Sequence, residues 1–486
     1  MVAHDVELIR QEGAKIGLKL NATKCELILP DQSTNPYRSV ISPTFTNFAL
    51  VPLSQATLLG APITDGLALS TSLSSAVTDL TKAIERLRHL DAHYALILLR
   101  ACFSAPKLMF ILRGSPCHQH PALDEFDTQL KLGISQITNT AISDLQMLQA
   151  SLPVKDGGLG IRSVASLALP AYLASAASTC NLQDKILHRT NFLQTDLLTE
   201  EYRGRWQQAT GCSCPFDPAS YKQNTWDRPL INLDLATLIN SQPDMHNKAR
   251  MAAVSTLHSG DWLFALPITT CGLRLDNEAV CVAVGLRLGI NLCEPHTCPC
   301  GAMVDARGSH GLSCKSNPGR MSRHHQLNDV IHRAFSRCCI PAVKEPSGLS
   351  RSDGKRPDGM TLIPWRVGEC LFWDVTVVDT LANSYLPSTS VSAGSAAEQA
   401  AIRKESKYAS LTASYEFIPL AFETLGPING SAVSFLSTLG HRMSDTTSDC
   451  RETSFLFQRI SIIIQRFNAV CFRNTLPSHF SGDDDS

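Results

Sequence analysis

The sequence of 486 residues predicts a multidomain protein, mainly α-helical over its first two thirds and α/β in its C-terminal third, with a small Cys- and His-rich module between them. Apolar residues recur at helical spacing in the first part, as in Leu80, Ile84 and Leu87. Cysteine, glycine and histidine then concentrate at 293–314. Beyond that module, patterns typical of helix, strand, strand, helix and strand follow in turn, which is an α/β order.

We divide the chain into six predicted segments. They are residues 1–65, 66–180, 181–290, 291–345, 346–475 and 476–486. The first opens with a helix to Ile16 and two short strands, at 17–21 and 25–29. The third shows only generic helical character. The last is acidic and predicted to be disordered, because it has little apolar surface to bury.

Charge and cysteine content bound the class of protein. The net charge of -1 gives no overall attraction to nucleic acid, but basic residues outnumber acidic ones within 286–370, which suits a phosphate-facing surface. The 17 cysteines are odd in number and no secretory signal opens the chain, so we expect reduced thiols or metal ligands in an intracellular protein. No uncharged stretch reaches the roughly 18–20 apolar residues of a membrane span, so no membrane partner is expected.

Two aspartates on successive predicted strands form the first candidate site. Asp358 lies at the start of one strand, and Asp374 lies within the next, where Leu371, Trp373 and Val375 face the opposite way. A carboxylate in such an apolar strand is costly unless it is paired or binds a metal. Neighbouring strands can bring two carboxylates together, and Mg²⁺ prefers such hard oxygen ligands.

The following predicted helix, about 396–410, adds cationic and phenolic groups. Lys404 and Tyr408 share one helical face, and Lys407 is close by. A lysine beside two carboxylates and a metal can orient a water or offset charge on a phosphorane. The alternative is that Asp374 is a buried, hydrogen-bonded strand residue and that the lysines form a solvated face.

A cysteine–histidine cluster forms the second candidate site. Four soft ligands suited to tetrahedral, structural Zn²⁺ occur close together: Cys298, Cys300, His310 and Cys314. Because Cys-x-Cys is a tight spacing, Cys293 or His296 can replace one of them. The alternative is a Cys-rich loop without metal. The next segment, 322–329, opens a helix with Arg323, His324 and His325, which either contact phosphates or only cap and solvate the helix.

These motifs resemble the restriction-like endonuclease of site-specific non-LTR retrotransposons, a branch of the PD-(D/E)XK nuclease superfamily. The matching stretches are Lys355-Arg356-Pro357-Asp358, Asp374-Val375-Thr376-Val377, and Arg403-Lys404 to Lys407-Tyr408. The resemblance implies that Asp358 and Asp374 hold Mg²⁺, and that Lys404 or Lys407 completes the site with Tyr408. Thr376 stands where most of the superfamily carries a lysine, and this branch moves that lysine to the helix.

The same resemblance extends to the rest of the chain. The cysteine–histidine cluster resembles the CCHC knuckle of these elements, and 322–329 resembles the Arg-His motif that follows it. Residues 17–26 and 58–62 resemble the end of a reverse-transcriptase palm, with Lys24 at the nucleotide-facing lysine, and 66–180 is then thumb-like. The aromatic-x-Asp-Asp pair of a palm is absent, so polymerase activity is not expected from this chain.

The resemblance implies a Mg²⁺-dependent endonuclease that nicks DNA, in a zinc-containing nuclear protein. The implied partners are a DNA target, element RNA and an upstream polymerase-containing polypeptide. The residues expected at nucleic acid are Lys24, Arg323, His324, His325, Arg333, Lys355 and Arg356. The alternative is a non-catalytic nucleic-acid-binding remnant that uses the knuckle and the basic helix; a zinc-stabilised scaffold without nucleic acid is a third reading.

Overall fold

The computed structural model divides the chain into two compact units. The described residues are 2–29, 45, 47–186, 197–241, 243–347, 356–366, 368–412 and 414–477. Unit 1 comprises Met1–Lys82, Ala105–Gln129 and Ser163–Leu230, and unit 2 comprises Ala83–Ser104, Leu130–Arg162 and Ile231–Ser486. The six segment boundaries drawn from the sequence stay predictions, and 478–486 of the predicted acidic tail lie outside the described residues.

The described chain is mostly helical with several small sheets, as expected. The helices are α1 (Val2–Lys15), α2 (Leu67–Leu87), α3 (Ala92–Leu98), α4 (Ala105–Gly114), α5 (Pro121–Thr138), α6 (Asp144–Ser151), α7 (Val164–Ile186), α8 (Leu197–Thr210), α9 (Gln223–Ser241), α10 (Met245–Val254), α11 (Asn277–Leu288), α12 (His310–Ser313), α13 (Gly319–Arg337), α14 (Leu386–Thr389), α15 (Ser395–Tyr408), α16 (Gly430–Thr447) and α17 (Glu452–Arg473). The strands are β1 (Glu26–Leu29), β2 (Ala49–Pro52), β3 (Thr57–Leu58), β4 (Ala61–Pro62), β5 (His296–Thr297), β6 (Met303–Val304), β7 (Ala342–Lys344), β8 (Gly359–Arg366), β9 (Glu369–Val378) and β10 (Glu416–Glu423).

In unit 1, a half-buried carboxylate fixes the start of the longest helix. Asp127 of α5 accepts hydrogen bonds from the Ser163 hydroxyl at 2.6 Å and from the amides of Val164 and Ala165 at 2.8 and 3.2 Å. These amides open α7 and have no partner within the helix, so the carboxylate supplies the missing acceptor. Burial nevertheless raises the pKa of Asp127.

The short strands of unit 1 differ in part from the prediction. The strand expected at 25–29 is confirmed as β1, which pairs in parallel with β2. The strand expected at 17–21 is wrong. Gly17 has a positive φ of 79°, which interrupts an extended chain, and the Asn21 side chain accepts a hydrogen bond from the amide of Thr23 and so caps a tight 3-10 turn instead.

One helical stretch is long and apolar enough to cross a membrane by length and composition alone. It runs over Ala92–Gly114, where α3 and α4 are joined by a π-helical turn at Leu99–Phe103. Core helices of soluble proteins meet the same criterion, so this single stretch is weak support for a span. The absence of a membrane partner stays a prediction.

Unit 2 contains a four-stranded sheet in the order β10-β9-β8-β7. The strand pair β8 and β9 is antiparallel, whereas β9 and β10 are parallel. Parallel strands need a crossover connection, and α15 lies in that connection. The predicted order of helix, two strands, helix, strand and two helices is confirmed; β7 and α14 are additional short elements.

The side chains of β9 alternate between two different environments. Leu371, Trp373 and Val375 enter the main core, formed with α13, α16 and α17. The opposite face, with Phe372 and Asp374, meets α15. This is the alternation expected from the sequence, and it places one carboxylate beneath a helix that carries two lysines.

Candidate functional site

Asp374 is 3% exposed, and α15 supplies its partners. The Lys404 ammonium forms an ion pair and hydrogen bond with its Oδ1. The Tyr408 hydroxyl lies 2.5 Å from its Oδ2, and the Lys407 ammonium lies 3.6 Å from the same oxygen. Lys404 and Tyr408 are one turn apart, so one helical face delivers both.

Asp358 immediately precedes β8 and lies beside Asp374. Gly359 pairs with Trp373 in the antiparallel register, so Asp358 and Asp374 are the next residues along the two strands. The Asp358 Oδ2 accepts a hydrogen bond from the amide of Val375 at 2.5 Å. The sequence predicts that Asp358 and Asp374 lie close together, and in the structure they are neighbours on adjacent strands. We call Asp358, Asp374, Lys404, Lys407 and Tyr408 the carboxylate site.

Tyr408 also joins the two carboxylate-bearing segments. Its hydroxyl lies 3.1 Å from the carbonyl oxygen of Arg356, two residues before Asp358. The Lys407 ammonium donates to that hydroxyl at 2.8 Å. The sequence left open which lysine accompanies the aspartates; in the structure Lys404 contacts Asp374 directly, whereas the hydrogen bond from Lys407 goes to Tyr408.

The carboxylate site offers hard oxygens but few of them. Among the described residues, the one group of three or more His, Cys, Asp or Glu side chains that could hold a metal ion is the cysteine–histidine cluster. Asp358 and Asp374 therefore provide two protein ligands at most. Mg²⁺ commonly takes one or two protein carboxylates and completes its shell with water and phosphate oxygens.

The cysteine–histidine cluster brings four ligand atoms together. The Sγ atoms of Cys298 and Cys314 are 4.0 Å apart, and Cys300 Sγ lies 3.2 Å from His310 Nε2. All four lie within 4.8 Å of one another. Tetrahedral Zn²⁺ with Zn–S bonds of about 2.3 Å needs sulfur atoms about 3.8 Å apart, so the four could hold zinc. We call residues 298–314 the knuckle.

The two alternative knuckle ligands are engaged elsewhere. Cys293 Sγ lies 3.4 Å from the carbonyl of Asp305, and the His296 ring bonds to the Glu294 carbonyl and to the Thr475 hydroxyl. Neither belongs to the group of four.

The knuckle thiols have unequal acidity. Burial raises the pKa of Cys298 to about 11, while a hydrogen bond from the backbone of Ala302 is the main reason why that of Cys300 falls to about 6. A bound zinc ion deprotonates its thiol ligands, and its positive charge offsets the negative charge of the resulting thiolates.

Helix α13 follows the knuckle and places its basic residues unequally. Arg323 is 1% exposed, and its guanidinium donates to Asn468 Oδ1 at 2.7 Å and to the Leu312 carbonyl at 3.4 Å, so it points into the protein rather than to a phosphate-facing surface. His325 and Arg333 are exposed.

His324 lies half-buried between these two environments and reaches the carboxylate site. Its Nε2 is 3.0 Å from Asp358 Oδ2, and this hydrogen bond raises the pKa of His324.

The other predicted nucleic-acid contacts are spread along the chain. Arg356 is exposed next to the carboxylate site, and Lys24 is exposed at the end of a 3-10 turn in unit 1. Lys355 lies outside the described residues. Sequence reasoning missed Asn328, whose amide donates to the Asp358 carbonyl at 3.0 Å. Its spacing of four residues from His324 was the available signal.

Comparison with protein-family models and with characterised proteins finds no match.

Proposed function

We propose that this chain is a metal-dependent DNA endonuclease that nicks one strand and derives from a non-LTR retrotransposon. The observation that supports the proposal is the convergence of Lys404 and Tyr408 on Asp374, directly beside Asp358. This is the arrangement that the resemblance to a PD-(D/E)XK nuclease requires. In the proposal, a C-terminal α/β domain follows a thumb-like helical part and a knuckle along the chain.

The roles follow from the position of each side chain. Asp358 and Asp374 would hold Mg²⁺, which when bound polarises a phosphodiester and lowers the pKa of a water. Lys404, at Asp374 Oδ1, is placed to orient an attacking water or to offset charge on the phosphate. Tyr408 holds Asp374 through its hydroxyl, and Lys407 supports that hydroxyl. Exposed Arg356 is a phosphate contact in this proposal.

The remaining parts take supporting roles in the same proposal. The knuckle is a structural zinc site, and exposed His325 and Arg333 lie where a phosphate backbone can be contacted. DNA is the substrate, element RNA and an upstream polymerase-containing polypeptide are partners, and the nucleus is the place of action. Lys24 keeps its proposed role at nucleic acid through the resemblance to a palm.

One observation favours the alternative of a nucleic-acid-binding remnant. Lys404 and Tyr408 already satisfy both oxygens of Asp374, so this carboxylate is neutralised without an ion. In the alternative the pair is a structural ion pair, and the chain binds nucleic acid without cutting it.

A supercoiled-plasmid nicking assay with Mg²⁺ separates the two functions. Asp374→Asn keeps the shape of the side chain but removes a metal ligand, so we expect nicking to fall at least about 1,000-fold. The control is Glu405→Gln, an exposed acidic residue on the same helix, which should nick like the wild type. Plasmid binding without nicking by the wild type would establish the remnant instead.

A further inference from the structure

Two residues of α13 hold one residue of the carboxylate site. His324 and Asn328 are one helical turn apart, and both contact Asp358, the first at its side chain and the second at its main-chain carbonyl. A single helix face therefore fixes the carboxylate and the backbone of the same aspartate. The sequence predicts a nucleic-acid contact for His324, whereas in the structure its ring meets Asp358.

The main chain of Asp358 is held from two sides. Its amide donates to the Trp373 carbonyl at 3.0 Å, and its own carbonyl accepts from Asn328 Nδ2 at 3.0 Å and from the Glu345 amide at 3.2 Å. Asn328 is buried, and its Oδ1 accepts a hydrogen bond from the Trp373 indole at 2.8 Å. A Cβ at Gly359 would come within 2.0 Å of that indole, so the chain after Asp358 is pressed against Trp373.

The side chain of Asp358 is held through one oxygen. Oδ2 accepts both from the Val375 amide and from His324 Nε2. Within the described part of the chain, no hydrogen bond reaches Oδ1. Two donors on Oδ2 select one rotamer, and that rotamer leaves Oδ1 as the atom available to a ligand.

The hydrogen bond of the His324 ring in this site goes to Asp358. Its Nδ1 is buried and has no partner among the described residues, so Nε2 is the nitrogen that makes the ring's hydrogen bond in the site. With the proton on Nε2, the ring donates to the carboxylate.

We propose that His324 is a positioning residue of the carboxylate site, which holds Asp358 Oδ2 so that Oδ1 is presented to a divalent cation. This inference rests on the proposed nuclease function, because Asp358 must be a metal ligand for its orientation to matter. Residues behind metal ligands orient them, and their loss commonly costs about 10- to 100-fold in metal affinity.

The test measures Mn²⁺ binding to the full, zinc-loaded chain by electron paramagnetic resonance, beside plasmid nicking. Mn²⁺ stands in for Mg²⁺, and it does not displace zinc from thiolates because it lies lower in the affinity order. We expect His324→Ala to weaken Mn²⁺ binding about tenfold. His324→Gln, whose amide can donate to the same oxygen, should recover most of that affinity. The matched control is Gln326→Ala, an exposed residue of the same helix with no assigned role, which should bind Mn²⁺ like the wild type.

The outcomes separate this inference from the proposed function. Wild-type affinity in His324→Ala would overturn the positioning role, and equal loss in His324→Ala and His324→Gln would make His324 a metal ligand and also overturn it. Asp358→Asn and Asp374→Asn serve as references for the site. If both references nick and bind Mn²⁺ like the wild type, the proposed nuclease site fails. If the wild type binds Mn²⁺ without nicking, the His324 series still decides the inference through binding alone.

Discussion

The knuckle and the carboxylate site differ in which groups contact their ligand atoms. In the carboxylate site, the Asp374 oxygens meet an ammonium and a hydroxyl, and Asp358 Oδ2 meets an amide and an imidazole. In the knuckle, the ligand atoms of Cys298, Cys300, His310 and Cys314 meet mainly one another. The contacts of the first site are therefore all made by protein groups, whereas the second could hold an ion at its centre.

The amount of surrounding apolar packing gives the same contrast. The carboxylate site lies on a strand whose other face enters the large core of unit 2. The knuckle has a core of only Cys298, Val304 and Cys314, with Cys293 beside it, and its strands β5 and β6 are two residues long. So small a core rarely supplies enough free energy to order a loop, and small modules of this kind commonly use a metal.

Zinc removal tests the contrast between the two sites with the largest expected effect. We expect a zinc chelator, or Cys314→Ser, to lower the free energy of unfolding by several kcal/mol, since structural zinc contributes roughly 10 kcal/mol or more in small zinc modules. Thermal unfolding with and without chelator, together with zinc content, measures the effect. Cys212→Ser is the matched control, because Cys212 is exposed and outside the cluster. Thermal stability that does not depend on zinc content would contradict the contrast.

Replacing each lysine of α15 by methionine tests the roles assigned to them in the carboxylate site. Lys404→Met removes the ammonium at Asp374 Oδ1, and we expect the single-turnover nicking rate to fall about 100-fold, the usual effect of losing one preorganised electrostatic group. Lys407→Met should cost less, because its hydrogen bond is to Tyr408 and its ammonium is 3.6 Å from Asp374.

The control for the lysine series is Arg403→Met, an exposed residue of α15 that bonds to the Tyr385 hydroxyl instead. A larger loss in Lys407→Met than in Lys404→Met would reverse the assignment of roles.

The smallest expected effect tests how α15 is held over the sheet. Glu423 of β10 accepts hydrogen bonds from the amides of Ala396 and Ala397, both at 3.1 Å, and so caps the start of α15. Burial raises the pKa of Glu423. The folded state then keeps a proton to higher pH than the unfolded chain, so this group lowers stability as pH rises above about 4.5.

Glu423→Gln keeps the accepting oxygen and removes the ionisation. We expect a gain of about 1 kcal/mol or less at neutral pH, and a flatter dependence of thermal unfolding on pH above about 4.5. Unchanged pH dependence would mean that Glu423 does not carry this effect. Nicking should stay at the wild-type level, because α15 keeps its cap.

Local patterns predicted the carboxylate site because they reflect short-range geometry. The alternation of Phe372, Trp373 and Asp374 fixes which face each occupies, and the helical spacing of Lys404 and Tyr408 fixes a shared face. The choice between Lys404 and Lys407 needed the angle of α15 on the sheet, which no local pattern contains.

Basic residues on α13 could not be assigned from the sequence for a related reason. Its charge, its place near the helix start and the Arg-His motif suggested that Arg323 faces phosphates. Tertiary packing instead buries it against α17, where its guanidinium donates a hydrogen bond to Asn468. The strand predicted at 17–21 failed because a positive φ at Gly17 and the Asn21 cap outweigh a short apolar alternation. Both errors come from interactions that periodicity does not encode.

The parallel pairing of β9 with β10 limits how far the lysines can travel. Because the chain must leave one end of β9 and re-enter at the other end of the sheet, α15 is tied at both of its ends to adjacent strands. The start of α15 is also held to the sheet, because the Glu423 carboxylate of β10 accepts hydrogen bonds from the amides of Ala396 and Ala397. If the proposed nuclease function holds, entry of a substrate on this face requires the Lys404 side chain to move, since it contacts Asp374 Oδ1.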